Sequence, residues 1–184
     1  MNLTYYLFPA TLAKFLDRDR LGGQPPTRDS PGFGKRPAPS TIEVFEMSKT
    51  FEKHAITAEF AQKLVDAAVA KAAELKVPQC VAIVDDGGNL KAFVRMDGAA
   101  LIPIEIAQSK AYTALFGFPT HDFFDFIKGD PSLVAGIPSR PRVAAFGGGY
   151  PIKVDGHIIG AIGVSGGTVE QDMQCAEAAL QLVE

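Results

Sequence analysis

Apolar residues recur every three or four positions across residues 57–75, and this period predicts a first amphipathic helix. Thr57 is suited to cap the start of the helix, and Pro78 closes the segment because proline interrupts helical hydrogen bonding. The positions that recur at these spacings are Phe60, Leu64, Ala67, Ala68, Lys71 and Leu75. We therefore expect a helix with one apolar face directed at a core.

Two extended apolar runs follow at residues 80–85 and 90–96. The sequence Asp-Asp-Gly-Gly-Asn between them favours a tight turn, because aspartate, asparagine and glycine tolerate a positive φ angle. The two runs are therefore predicted to be adjacent antiparallel strands joined as a hairpin.

Three more helices are predicted from the remaining helical periods and capping residues. The first spans 103–116, the second is a short helix that Thr120 caps and that ends at Gly129, and the third closes the chain. Thr168 and Gln171 match a capping box at the start of this last helix.

Three further strands are predicted at residues 142–146, 151–155 and 157–165. Hairpins dominate the order of elements, so the fold class is α+β, with a five-stranded antiparallel sheet and helices packed on it. The expected architecture is an αβ sandwich of the PAS or profilin type.

Residues 1–46 differ from the rest, since they hold six of the 13 prolines and show no sustained period of 2 or 3.6. We interpret them as a proline-rich N-terminal arm, with the domain at 47–184. The arm begins with the apolar segment Leu3–Leu16, which is shorter than the roughly 20 residues a membrane span needs. It is suited to docking on a protein partner or a neighbouring subunit; an irregular N-terminus with no such role is an equally open interpretation.

Composition and net charge limit the kinds of molecule that this protein is expected to bind. Hydrophobic residues make up 47% of the 184-residue chain and the net charge is -3, so a broad basic surface for nucleic acid is not expected. The two cysteines, Cys80 and Cys175, have no disulfide-rich or metal-binding spacing, which favours a reducing, cytoplasmic location.

Glycine is concentrated between Phe146 and Thr168. Gly160 and Gly163 lie in a predicted strand, where a missing side chain leaves room for an overlying helix or ring. Three successive glycines before Tyr150 exceed the needs of a turn, and Gly166-Gly167 lead directly into a capped helix whose amides favour an anion. The predicted ligand walls are thus Gly147, Gly148, Gly149 and Tyr150 on one side and Gly166 and Gly167 on the other.

Four charged residues are candidates for ligand binding or catalysis. Arg95 and Lys110 are suited to pair with ligand carboxylates, although a solvated surface charge explains either one alone. Glu170 and Asp172 open the last helix, where they are candidate acid/base groups or simply favourable partners of the helix dipole.

The three histidines, His54, His121 and His157, show no spacing typical of a zinc site. A single histidine can still ligate a haem iron from one side, and we name His54 and His121 as the candidate metal ligands, with His54 preferred. A structural histidine is the alternative for each of them.

The segment from Phe51 to Glu184 resembles the GlcG/HbpS family of haem-degrading proteins, also called DUF336, which includes the C-terminal domain of PduO-type proteins. The resemblance rests on VDDGGNLKAFVRMDGA, on SKAYTA with its following FP, and on FGGGYPIKVDGHIIGAIGVSGGTVEQD. It implies an antiparallel αβ sandwich, homo-oligomers from dimers to octamers, and in some members haem binding with slow haem breakdown. The positions that match the family's pocket are Arg95, Met96, Lys110, Gly147, Gly148, Gly149, Tyr150, Gly166, Gly167 and Glu170.

Three functional hypotheses follow from these observations. The first is a binding protein for haem or another tetrapyrrole, seated between the glycine-rich strands and the second helix. The second is a cofactor-independent isomerase or lyase that acts on a small carboxylate metabolite, with Glu170 or Asp172 as the acid/base group. The third is an accessory subunit of a larger complex, tethered by residues 1–46.

Overall fold

A computed structural model of the chain describes residues 49–183. The predictions for the arm, residues 1–46, and for a domain start at Met47 lie outside the described residues. The elements of the described part are, in order, α1 Ala58–Glu74, β1 Cys80–Asp85, β2 Leu90–Arg95, α2 Ile102–Ala114, α3 Thr120–Ile127, α4 Pro131–Gly136, β3 Gly149–Val154, β4 His157–Ser165 and α5 Val169–Leu180.

The described strands form one antiparallel sheet in the order β2-β1-β4-β3. Two hairpins, β1-β2 and β3-β4, meet along the central pair, in which Cys80 lies opposite Ser165 and Asp85 lies opposite Gly160. The strands β2 and β3 are the two edges, and Pro151 in β3 is paired with Ala161. The predicted α+β class is confirmed, but the sheet has four strands.

The prediction of a fifth strand at residues 142–146 is wrong. Arg142 has a positive φ of 64°, which strands do not accommodate. Two residues further on, the backbone amide of Ala144 donates to the side-chain oxygen of Thr113 on α2 at 2.9 Å. The apolar run therefore lies against a helix through a side-chain hydrogen bond, and it pairs with none of the described strands.

Helices cover both faces of the sheet. On one face, α1 and α5 pack on Val81, Ile83 and other residues of the same parity, and on the opposite face α2 packs on Ala82 and Val84. Alternate residues of a strand point to opposite faces of the sheet, and helices cover both faces of β1. Every position from Cys80 to Val84 is therefore buried and apolar. The continuous apolar run of the sequence is explained by burial on both sides.

The helix α2 approaches β4 so closely that its backbone occupies the place of a side chain. A Cβ atom on Gly163 would overlap the carbonyl oxygen of Ala107 and lie 2.5 Å from the amide nitrogen of Ala111. Gly163 is thus a packing glycine beneath a helix, as predicted. Gly160 instead faces the carbonyl oxygen of Val84 on the neighbouring strand, and Ile56.

Capping residues explain where two of the helices begin. The capping box of α5 is present, because Thr168 accepts from the Gln171 amide and Gln171 accepts from the Thr168 amide. The prediction that Thr120 caps α3 is wrong: Pro119 is the N-cap, and the Thr120 hydroxyl donates to the Phe146 carbonyl oxygen at 2.6 Å. The same hydroxyl accepts from the amide of Gly149 at 3.0 Å, so Thr120 fixes the loop before β3.

The short helix α4 was not predicted from the sequence, and α3 ends at Ile127, before the predicted Gly129. Within residues 49–183, no helix has both the length and the apolar character that crossing a bilayer requires.

Candidate functional site

The three glycines before Tyr150 pass between helices, and each faces protein atoms. A Cβ atom on Gly147 would lie 2.7 Å from the sulfur of Met173, and one on Gly149 would lie 2.5 Å from the methyl group of Thr120. Gly148, with a φ of +110°, sits beside Asp172 and the Lys110 ammonium. The space beside these glycines, which the sequence predicted as a ligand wall, is therefore occupied by residues of α2, α3 and α5.

Lys110 and Asp172 form a buried ion pair beside Gly148. The Lys110 side chain has no solvent exposure, and its Nζ lies 2.6 Å from Oδ2 of Asp172 and 2.9 Å from the carbonyl oxygen of Val164. Nζ also lies 4.8 Å from the centroid of the Phe146 ring. Burial lowers the pKa of Lys110, and the Asp172 carboxylate opposes that shift.

The environment of this pair differs from the sequence-based expectation. Lys110 is not a solvated surface charge, and in this arrangement it neutralises Asp172 instead of a ligand carboxylate. The other carboxylate oxygen of Asp172 accepts from the amide of Gly167 at 3.0 Å, and the Thr168 amide donates to Gln171 at 2.9 Å. Two of the amides expected to receive an anion are thus already bonded within the chain.

The remaining predicted residues near this end of the sheet are exposed or partly exposed. Arg95 at the end of β2 donates from Nη1 to the carbonyl oxygen of Ala99 at 2.9 Å. Met96 accepts from the amide of Gln79 at 3.4 Å through its sulfur. Hydrogen bonds from its own backbone amide and from Thr168 lower the pKa of Glu170, which therefore stays ionised rather than exchanging protons near neutrality.

Tyr150, which directly follows the three glycines, connects β3 with α5 and α3. It is 8% exposed, its hydroxyl donates to Oε1 of Glu177 on α5 at 2.6 Å, and its ring contacts the ring of His121 on α3 edge-on at 5.9 Å. Burial and then the Glu177 carboxylate raise the pKa of Tyr150 well above its ordinary value. The predicted residues His121 and Tyr150 are therefore neighbours.

This raised pKa predicts a loss of stability at alkaline pH. A folded-state pKa above the unfolded value of about 10 stabilises the fold below pH 10, and that contribution disappears as pH rises through the folded-state pKa. Above pH 10 we expect the free energy of unfolding to fall more steeply in the wild type than in Tyr150→Phe, by up to about 1.4 kcal/mol per pH unit. Urea denaturation between pH 8 and 11 measures this, with Tyr112→Phe as the matched control. Parallel curves for Tyr150→Phe and the wild type would contradict it.

The two cysteines are poor nucleophiles in this fold. Both thiols are buried and free, and burial raises the pKa of Cys175 to about 11. Burial also raises the pKa of Cys80.

Two histidines that are 103 positions apart in the sequence meet at one end of the sheet. The ring centroids of His54 and His157 are 4.6 Å apart, with an interplanar angle of 35°, and both side chains are exposed. His121 is partly buried; its Nδ1 has no hydrogen-bond partner within residues 49–183, and its Nε2 lies 3.5 Å from Asp122. No spacing in the sequence indicated that His54 and His157 would be neighbours.

A cavity of about 330 Å³ opens where the β1-β2 turn meets the C-terminal end of α2. Its floor is aromatic and aliphatic, and Phe116 contacts Phe118 and Phe123 edge-on at 5.3 and 5.4 Å. The guanidinium of Arg142 lies 4.0 Å over the Tyr112 ring. The lining residues are Asp86, Gly87, Tyr112, Thr113, Leu115, Phe116, Phe123 and Val143.

No local sequence pattern indicates this cavity, because its residues come from the turn, α2, α3 and the loop before β3. The one available signal was the exposed aromatic sequence around Phe116, which has no place in the apolar stripe of α2. Lys53, next to His54, places its ammonium 2.6 Å from the carboxylate of Asp86 at the cavity. The histidine pair and the cavity are thus connected through one ion pair.

Residues 56–181 match a family model described as haem degrading protein HbpS-like. The chain belongs to that family. The predicted GlcG/HbpS membership is confirmed, and the match covers every strand and every helix of the described fold.

This HbpS-like chain covers nearly the whole length of several relatives. An uncharacterised 15.0 kDa protein from the dhaT-dhaS intergenic region of Citrobacter freundii is 42% identical over 136 residues, which is 73% of this chain and 96% of that protein. Among solved structures, HbpS matches with a TM-score of 0.68 and 30% identity, over 74% of this chain and 95% of that one. A complex of PduOC with haem matches with a TM-score of 0.64 and 38% identity, over 69% of this chain and 94% of that one.

Proposed function

We propose that this protein binds haem. The observation that carries the proposal is the 38% identity with PduOC, whose structure was solved as a haem complex and of which this chain covers 94%. The described residues offer the groups that haem requires: an exposed imidazole for the iron, aromatic surface for the ring, and a cation for a propionate.

His54 is the better candidate for the iron ligand. Its side chain is exposed, so an imidazole nitrogen is accessible to iron. At His121, by contrast, the buried Nδ1 is not accessible to iron, and Nε2 lies 3.5 Å from the Asp122 carboxylate, which it would have to leave to bind iron.

The cavity beside the C-terminal end of α2 is the proposed surface for the porphyrin. It replaces the expected position between the glycine-rich strands and α2, because Lys110, Thr120 and Met173 fill that space. A cavity of about 330 Å³ lies at the low end of the range for ligand pockets, so the ring would project from it into solvent. Arg142 is the nearby cation suited to a propionate, whereas Lys53 is paired with Asp86.

Bound haem would supply an iron centre for one-electron and oxygen chemistry. The residues of this chain would bind the iron, hold the porphyrin against Tyr112 and Phe116, and keep one face of it from water. We propose binding alone as the activity, since the Asp172 carboxylate expected to act as an acid/base group is committed to Lys110.

Titration of the purified full chain with hemin tests the proposal. We expect a saturable shift of the Soret band, with affinity reduced at least about 10-fold in His54→Ala, because even outer-shell partners of metal ligands contribute about 10- to 100-fold. His121→Ala is the matched control and is expected to bind as the wild type does. A wild-type chain with no saturable shift would refute haem binding; equal affinities for His54→Ala and the wild type would refute the assignment of His54.

We also propose a cytoplasmic homo-oligomer. Both cysteines of the chain are free, in keeping with a reducing compartment. Large apolar side chains are exposed at the start of α2, including Leu101 and Ile102 at 72% and 76%, which is typical of surfaces that other subunits cover. A protein partner bound through residues 1–46 stays a prediction.

A further inference from the structure

The segment before α1 extends the sheet at a place that β1 leaves open. The pairing of β1 with β4 stops at Asp85 and Gly160, so among residues 49–183 no strand pairs with the first residues of β4 on that side. The amide of Ile56 donates to the carbonyl oxygen of Ile159 at 2.8 Å and fills this position. The approach of residues 54–56 to β4 is therefore fixed by the backbone.

His54 and His157 each precede this hydrogen-bonded pair by two residues. The two segments consequently run in the same direction, and the imidazoles stand side by side with centroids 4.6 Å apart. Both side chains are exposed, so rotation about their side-chain bonds can turn one nitrogen of each ring toward a common point. Fixed backbones with free rings are the arrangement that a two-histidine chelate needs.

We propose that His54 and His157 form a binding site for a divalent transition-metal ion of the zinc and nickel class. Imidazole nitrogen suits Zn²⁺ and Ni²⁺, whereas Mg²⁺ and Ca²⁺ require oxygen ligands. The positive charge of neighbouring Lys53 is neutralised by Asp86, whose carboxylate lies 2.6 Å from the ammonium. Lys53 therefore repels a metal ion bound at this pair less strongly. The site shares His54 with the proposed haem site but does not depend on haem.

Water completes the coordination of this ion. Among residues 49–183, no histidine, cysteine, aspartate or glutamate joins the pair to make a group of three metal ligands. Structural zinc sites are closed by four protein ligands, whereas sites with open positions exchange water and substrate. The site is therefore an exchangeable one at the surface, and it places an ion with free coordination positions beside the β3-β4 turn.

Calorimetric titration of the full chain, purified without a histidine tag and free of haem, tests the site. We expect ZnCl₂ and NiCl₂ each to give one saturable binding event and MgCl₂ to give none. His157→Ala and His54→Ala are expected to weaken binding at least about 10-fold, in line with the contribution of groups at metal sites. His121→Ala, which changes the third histidine, is the matched control and should bind as the wild type does.

The variant His157→Ala separates this site from the haem site. It is expected to lose the metal-binding event while retaining the wild-type Soret shift with hemin, because His54 is unchanged. Undiminished Zn²⁺ binding in His157→Ala would overturn the proposal whatever the result with hemin. Both variants change exposed side chains, and thermal unfolding of each confirms that any loss of binding is not a loss of fold.

Discussion

Lys110→Met is expected to lower the free energy of unfolding by about 3–5 kcal/mol, the usual cost of removing one partner of a buried ion pair. The reason is that Asp172 would keep a charge in a place with almost no access to water, and the bond from the Gly167 amide would not replace the lost ammonium. Asp172→Leu is expected to cost a similar amount, because the Lys110 ammonium would then lose its counterion.

The double variant Lys110→Met with Asp172→Leu distinguishes the pair from simple packing. It leaves no buried charge, so we expect it to be more stable than either single variant. Lys63→Met is the matched control, since Lys63 pairs with Glu59 at 2.8 Å on the exposed surface of α1 and should contribute less than about 1 kcal/mol. Urea denaturation measures all four proteins; a loss in Lys110→Met no larger than that in Lys63→Met would show that the buried pair is not stabilising.

Gly163→Ala is expected to cost about 3 kcal/mol or more, at or above the upper end of the range for overpacked cores. The added methyl group would overlap the backbone of α2 at Ala107, and a helix backbone cannot move aside as a flexible side chain can. The helix would have to shift away from the sheet, which would loosen the cluster of small residues between them.

Gly136→Ala is the matched control for this substitution. Gly136 lies in α4, and an added Cβ would meet no atom within 4 Å, so we expect a change of no more than about 1 kcal/mol, in the stabilising direction. Denaturation curves for the two variants test the contrast. If Gly163→Ala unfolds at the same urea concentration as the wild type, α2 is not packed on β4 as described.

Much of the fold was predictable, because the information for it is local. The Asp85 side chain accepts from the amides of Gly87 and Asn89 within one turn, and Thr168 and Gln171 cap α5 three residues apart. The prediction of a fifth strand is wrong because the structure there depends on a distant residue. Its apolar run is typical of a strand, but the Ala144 amide donates to the side chain of Thr113, which is 31 positions away in the sequence.

The site depends on contacts that no local pattern reveals. Lys110 lies between Ala107 and Ala111 in a stripe of small residues, which gave no sign that its long side chain would run into the core. Its partner, Asp172, is 62 positions away. The pairing of His54 with His157 depends likewise on the meeting of distant segments, so neither pair could be predicted from spacing.

The position of Pro151 also bears on how copies of this protein can assemble. Exposed edge strands are templates onto which another chain can add a strand, and proline blocks this because it lacks an N–H group to donate. Pro151 lies in the edge strand β3, opposite Ala161 of β4. A continuous sheet running from one copy to the next through β3 is therefore disfavoured, which protects this edge of the sheet against fibre-like association.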